Sequence, residues 1–110
     1  MLERNAGNFI ISANTGLAGS YASFTPNNIM TVSGANSNVG IGTTTPNASA
    51  LLDLTSTTKT LKLMNMTATQ ASAISTPPKG SIIYVTDTNG TFTSAGLWMY
   101  GTSWKLILAE

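Results

Sequence analysis

The stretch Gly80–Leu108 decides the predicted fold, and it reads GSIIYVTDTNGTFTSAGLWMYGTSWKLIL. It contains three apolar runs that hold both tryptophans and two of the three tyrosines of the chain: Ile82–Val85, Leu97–Tyr100 and Trp104–Leu108. An Asn89-Gly90 turn signal separates the first two runs, and Gly101–Ser103 is short enough for a tight connection between the last two. These features predict a three-stranded antiparallel meander.

Upstream of this meander, residues 1–46 carry short apolar runs separated by turn residues. The runs begin 12, 8 and 10 residues apart, which is typical of an all-β segment: Phe9–Ile11, Tyr21–Phe24, Ile29–Val32 and Val39–Ile41. Turns are predicted between them at Asn14–Gly16, Thr25–Asn28 and Ser33–Asn36. Each run holds few apolar residues, so we expect these strands to pack against other copies of the chain.

Residues 38–66 predict further strands and a close approach of two backbones. Glycines alternate with Val39 and Ile41, which leaves one face of the strand bare for another backbone. Pro46 is expected to end this strand. We expect Ala50–Leu54 to form an apolar strand, and the alternation over Lys59–Met66 to form another.

One short helix is predicted at about residues 67–75. Thr67 and Gln70 match a capping box, and Pro77-Pro78 stops the helix. Its apolar residues are spaced to share one face: Ala68, Ala71 and Ile74. A helix of about two turns needs packing to persist, so we expect it to cap the end of the sheet.

The composition is poor in charge and rich in small polar residues. Charged residues make up 8% of the chain, whereas Thr, Ser and Asn make up 40 of its 110 residues, as expected for an all-β structural protein exposed to the outside. The net charge of +1 favours neither nucleic acid nor membrane insertion and leaves little repulsion between copies. No signal-peptide pattern follows Met1, so we expect it to be the true start of an unexported chain.

Several tracts of the sequence, in chain order, resemble a module of phage tail-fibre and appendage proteins that also occurs in bacterial surface proteins. They span about residues 38–107: Asn38–Pro46, Ala50–Leu54, Ser56–Lys59, Lys62–Gln70, Pro78–Tyr84, Asp87-Thr88 and Gly101–Trp104. The resemblance implies a homotrimeric, β-rich fibre or spike segment with an intertwined C-terminal knob. The family often has an arginine before the helix and another after the helix glutamine, where this chain has Met64–Met66 and Ala71.

The residues and the resemblance together predict a mainly β homotrimer with two segments. We expect residues 1–46 to form a slender β-rich thread that attaches to other virion proteins. Residues 47–110 would form a small antiparallel β-knob with the short helix. The predicted function is that of a virion structural protein on the particle surface, a fibre or spike component for attachment. Two alternatives stay open: a capsid decoration or head-fibre protein, and a bacterial surface adhesin or filament subunit.

No enzyme activity, cofactor or metal site is predicted. The chain has no His and no Cys, and only two of its four acidic residues, Asp53 and Asp87, lie away from the termini. We interpret Asp87 as a cap of the Asn89-Gly90 turn. Asp53 is interpreted as a cap or as the partner of Lys59.

Four aromatic residues are the candidate contacts with another subunit or with a glycan or protein of the host surface: Tyr84, Trp98, Tyr100 and Trp104. Exposed Trp and Tyr side chains stack on sugars and anchor protein contacts. Trp98 and Tyr100 share one face of their strand, while Leu97 and Met99 share the other, so both faces are apolar. This pattern favours a strand buried between its own core and a neighbouring subunit.

Overall fold

The computed structural model describes residues 2–5, 8–14 and 26–110, with side chains described from Met30 onward. The chain forms two compact units, Met1–Leu61 and Lys62–Glu110. Each described unit is built on one β-sheet, and one short helix belongs to the second. The predicted mainly β fold with a single short helix is therefore confirmed.

The first unit holds a five-stranded sheet whose strands lie in chain order. The strands are β1 (Leu2–Asn5), β2 (Asn8–Asn14), β3 (Pro26–Val32), β4 (Val39–Ile41) and β5 (Leu52–Leu54). Strands β1 to β4 pair antiparallel, whereas β5 pairs in parallel with β4. Because β4 and β5 lie on either side of residue 46, the compact unit continues past the segment boundary that the sequence suggested.

The turn between β3 and β4 has the predicted position. The amide of Ser33 donates to the carbonyl of Asn38 at 2.8 Å, and the amide of Ser37 donates to the carbonyl of Ser33 at 3.0 Å. The turn predicted at Thr25–Asn28 is wrong from Pro26 onward, because these residues extend β3 and pair with the end of β2. Proline is tolerated as the first residue of a strand, where no ladder bond needs its amide. The predictions for residues 15–25 lie outside the described residues.

Gly42 follows the last residue of β4 and allows the close backbone approach that the sequence predicted. Its φ is +79°, and a Cβ there would overlap the carbonyl oxygen of Thr55. The amide of Thr55 donates to the carbonyl of Ile41 at 2.9 Å, which fixes the two segments side by side. The prediction that Pro46 ends this strand is wrong, since the strand ends at Ile41 and the chain turns at Gly42.

The second unit holds a four-stranded sheet in the order β6-β7-β8-β9. Its strands are β6 (Asn65–Met66), β7 (Ile82–Val85), β8 (Gly96–Tyr100) and β9 (Trp104–Ala109). Strands β7 to β9 form the predicted antiparallel meander, and β6 joins it in parallel with β7. Of the strand predicted over Lys59–Met66, only β6 is present, because only these residues have a partner strand.

The helix α1 (Ala68–Ser72) connects β6 to β7 and begins at the predicted capping box. The amide of Gln70 donates to Thr67 Oγ1 at 3.2 Å, and the amide of Thr67 donates to Gln70 Oε1 at 2.9 Å. The helix is shorter than predicted, because Ala73 already caps its C-terminus and Thr76, before the prolines, has a φ of +47°.

Asp87 stabilises the start of this helix and does not cap the turn after it, so that interpretation is wrong. Its Oδ1 accepts a hydrogen bond from the amide of Ala68 at 2.5 Å. The turn is held by Asn89, whose Oδ1 accepts from the amides of Thr91 and Phe92, each at 2.9 Å. Asn89 Nδ2 also donates to Ser72 Oγ at 2.9 Å, which ties the loop to the helix.

The core of the second unit lies between α1 and one face of the sheet. Its buried residues are Ala68, Ala71, Ile83, Val85, Phe92 and Trp98. Phe92 comes from the loop held by Asn89, and its ring meets the Trp98 ring edge-on at a centroid distance of 4.9 Å. The short helix and this loop therefore complete a core that the sheet alone does not enclose.

We predict that Gly42→Ala destabilises the first unit, whereas Gly101→Ala has little effect. The left-handed backbone conformation costs an alanine at position 42 about 1–3 kcal/mol, and its Cβ must also displace the Thr55 carbonyl. A Cβ at Gly101 meets no atom within 4 Å. Denaturant unfolding of both variants at one protein concentration measures the difference, and equal midpoints for the two would contradict this account.

Candidate functional site

Both faces of the second sheet carry apolar side chains, but those on one face are buried and several on the other are exposed. On the core face, Ile83, Val85 and Trp98 point toward α1 and are buried. The residues between them in sequence point to the other side, because successive side chains of a strand alternate. We call this second surface the outer face: Asn65, Ile82, Tyr84, Leu97, Met99, Lys105 and Leu108.

The pairing register brings the side chains of the outer face into rows. Ile82 lies opposite Met99, which lies opposite Lys105. Tyr84 lies opposite Leu97, which lies opposite Leu108. Ile82 and Met99 are each 39% exposed, and Leu108 is 68% exposed. Lys105 is the one basic side chain of this otherwise apolar or uncharged face, so the face has the composition of a contact surface.

The structure separates the four candidate aromatic residues. Trp98 is 3% exposed, and its indole Nε1 donates to the carbonyl of Ser94 at 3.0 Å, so it belongs to the chain's own core. Tyr100 and Trp104 lie on the same face at the rim of that core, with their rings 5.2 Å apart. Tyr84 alone lies on the outer face. A contact with another molecule would therefore involve Tyr84, Tyr100 and Trp104 and not Trp98.

Tyr84 also has a polar neighbour at the end of the chain. Partial burial, together with the carboxylate of Glu110, raises the pKa of the Tyr84 phenol above its ordinary value of 10.0. The amide of Glu110 donates to the carbonyl of Ala95 at 2.9 Å, which fixes this terminal residue beside the sheet. The phenol of Tyr84 is therefore harder to deprotonate than that of a free tyrosine.

The first unit exposes apolar side chains as well. Leu51, Leu52 and Leu61 are 79%, 55% and 67% exposed. A groove of about 720 Å³ lies between β4 and the residues after β5, with Ile41 and Leu54 in its lining. Apolar surface is therefore open to solvent in both units of the isolated chain.

The two interior carboxylates have local structural partners. Asp53 accepts from the amide of Asn47 at 2.8 Å and from Thr55 Oγ1 at 3.1 Å, so it stabilises the connection that leads into β5. It acts as a cap, as one of the two interpretations held, and forms no ion pair with Lys59 in the described structure. Asp87 bonds the start of α1.

The described residues hold neither a cluster of metal-ligating side chains nor a membrane-spanning helix. Among them, no three or more His, Cys, Asp and Glu side chains lie close enough together to hold a metal ion. In the part of the chain that the structure covers, no helix has the length and apolar character needed to cross a membrane.

These features define a class: small, mainly β proteins with a sheet that its own compact unit covers on only one side. A comparison with family models matches residues 40–109 to the phage tail like trimerisation region. The match covers more than half of the chain, and the chain belongs to this family. Comparisons with curated proteins and with solved structures give no match.

The family match has three consequences. It confirms the resemblance to a phage tail-like module, and it supports the homotrimer. It makes the chain a phage tail-related, virion-associated structural protein. The matched region begins within β4 and ends at the last residue of β9, so it includes the entire outer face.

Sequence reasoning missed some residues that build the site and found others. The alternation over Leu97–Tyr100 indicated an apolar second face, and the register of the sheet adds Ile82 and Leu108 to it. Nothing in the sequence around Phe92 distinguishes it from a loop residue, since its neighbours are threonines. The proximity of Glu110 to Tyr84 likewise depends on the pairing of β9.

We predict that Glu110→Gln lowers the pKa of Tyr84 toward 10.0. The substitution removes the nearby negative charge that disfavours the phenolate. Because the folded-state pKa is raised, the associated stability is present below the unfolded pKa of about 10 and is lost as the pH rises through the folded value.

Alkaline NMR titration of the tyrosine Cζ resonances measures this pKa. Tyr84→Phe identifies the relevant resonance by removing it. An unchanged Tyr84 midpoint in the Glu110→Gln variant would show that the carboxylate does not act on the phenol.

Proposed function

We propose that this protein is a homotrimeric fibre or spike component of a phage tail-like particle and that the outer face forms the contact around the three-fold axis. The observation that carries the proposal is the combination of an uncovered apolar sheet face with membership of a trimerisation family. Each copy has the same exposed face, and three copies arranged around one axis cover all three at once.

Burial of apolar side chains favours association of the folded units. Complete burial of a Leu, Ile or Met side chain contributes roughly 1.5–3 kcal/mol relative to full exposure. Ile82, Met99 and Leu108 each retain a substantial exposed fraction in the single chain, so each gains part of that amount on assembly. The same contribution is made in each of the three subunits.

The proposed role is mechanical and adhesive, with no catalysis. The chain has no His or Cys, and Asp53 and Asp87 are both engaged in local hydrogen bonds. We assign the attachment to other virion proteins to the N-terminal segment. Tyr100 and Trp104 are the aromatic residues available for a glycan or protein of the host surface, because Trp98 is buried and Tyr84 lies on the outer face that forms the trimer contact.

Met99→Glu tests the contact directly, and we predict that it converts the trimer to single chains. Met99 lies between Ile82 and Lys105 in its row of the outer face, so assembly would bury a carboxylate from each subunit. Pairing with the neighbouring Lys105 does not repay the desolvation cost of burying both charges. The side chain is outside the chain's own core, so the subunit itself should stay folded.

Thr93→Glu is the matched control, since Thr93 is exposed and lies in the loop before β8. Light scattering coupled to gel filtration gives the mass of each variant, and circular dichroism reports the fold. We expect the mass of three chains for the wild type and for Thr93→Glu, and that of one chain for Met99→Glu. A Met99→Glu variant that keeps the trimeric mass would refute the outer face as the contact.

A further inference from the structure

Strand β9 is an outer strand of its sheet with an unusually apolar composition. It has six residues, and no described strand pairs with its far edge. Leu106, Ile107 and Leu108 are 39%, 50% and 68% exposed, and Lys105 is its one charged residue. Natural edge strands are usually short, charged or interrupted by proline, because an open edge invites pairing with another chain.

The hydrogen bonds of β8 show which amides of β9 point away from the sheet. Tyr100 bonds to the β7 side, with its amide donating to the carbonyl of Ser81 at 2.8 Å. Since antiparallel strands alternate their bonding direction, Met99 and Leu97 bond toward β9 and engage Lys105 and Leu108. The backbone groups of Leu106 and Ala109 therefore point outward, where no described strand pairs with them.

The opposite edge of the same sheet is also open. The carbonyls of Met64 and Met66 accept from the amides of Tyr84 and Thr86, each at 3.0 Å, so these residues bond inward. In a parallel ladder the residue between them faces the other way, which directs the backbone groups of Asn65 outward. The chain before β6, where the sequence predicts a longer strand, has no described partner strand.

The directions of the two edges match. Strand β6 runs parallel to β7, and β7 and β9 each run antiparallel to β8. Strands β6 and β9 therefore point the same way. Rotation about an axis along the strands preserves that direction, so the β9 edge of one subunit meets the β6 edge of the next in parallel. Three such head-to-tail contacts close a ring.

We propose that β9 of each subunit pairs in parallel with the β6 edge of the next subunit, so that the three second-unit sheets join around the axis. The proposal rests on the proposed trimer and specifies which strand of the next subunit pairs with each open edge. It also accounts for the alternating pattern before β6, which has no partner among the described strands but would gain one in the assembly.

A cysteine pair tests which edges meet, since the chain has no native cysteine. Asn65 and Leu108 are both exposed and lie in the same row of the outer face, at its two edges. With Asn65→Cys and Leu108→Cys in one chain, a short bismaleimide linker should give covalent dimers and trimers on a denaturing gel. Either single variant should stay uncrosslinked. Dimers from Leu108→Cys alone would indicate β9 paired with β9 and overturn the proposal.

Amide hydrogen exchange on the wild-type trimer supplies the second measurement. Intersubunit pairing predicts slow exchange at Leu106 and Ala109, whose amides point away from β8 and face no described strand. Fast exchange at both positions, in a protein of trimeric mass, would overturn edge pairing and leave the outer-face contact standing. A protein with the mass of one chain would instead refute the proposed function itself.

Discussion

The second sheet carries apolar side chains on both faces, and its own compact unit supplies cover for one. The helix α1 and the loop that carries Phe92 enclose Ile83, Val85 and Trp98. No comparable element of the second unit covers Ile82, Met99 and Leu108. Since exposed apolar area of this kind is unfavourable in water, we propose that this imbalance drives formation of the trimer.

The polar contacts of the second unit hold in place the helix and the loop that cover the core face of its sheet. The capping box of Thr67 and Gln70 starts a helix too short to be stable alone, and the carboxylate of Asp87 bonds its first amide. Asn89 holds the loop to the helix, which turns Phe92 into the core. One face of the sheet is thus completed within the chain, and the other stays available for assembly.

The features of this fold that could be predicted are those formed by residues close together in the sequence. The meander, the capping box and the turn after β3 each depend on residues close in sequence, and each lies where the pattern indicated. The parallel pairing of β5 with β4 and of β6 with β7 left no local pattern, because both join strands separated by an irregular segment or a helix. Asp87 was assigned to the wrong partner for the same reason, since Ala68 lies 19 residues earlier.

The candidate site was predictable in type but not in detail. Alternation along β8 indicated a second apolar face. The sequence did not show, however, that Trp98 is buried in the core whereas Tyr84 lies on the outer face. Only the packing of Phe92 against Trp98 shows that this tryptophan is already buried. The extent of the outer face depends on the registers of β7 and β9, including the irregularity between Leu97 and Trp98.

Sedimentation equilibrium of the unmodified protein tests the central claim most directly, because it gives the mass in solution without a matrix or a label. The account predicts the mass of three 11.4 kDa chains, held over a wide range of protein concentration. A mass of one chain across that range would contradict it, since the outer face would then be stable in water without a partner.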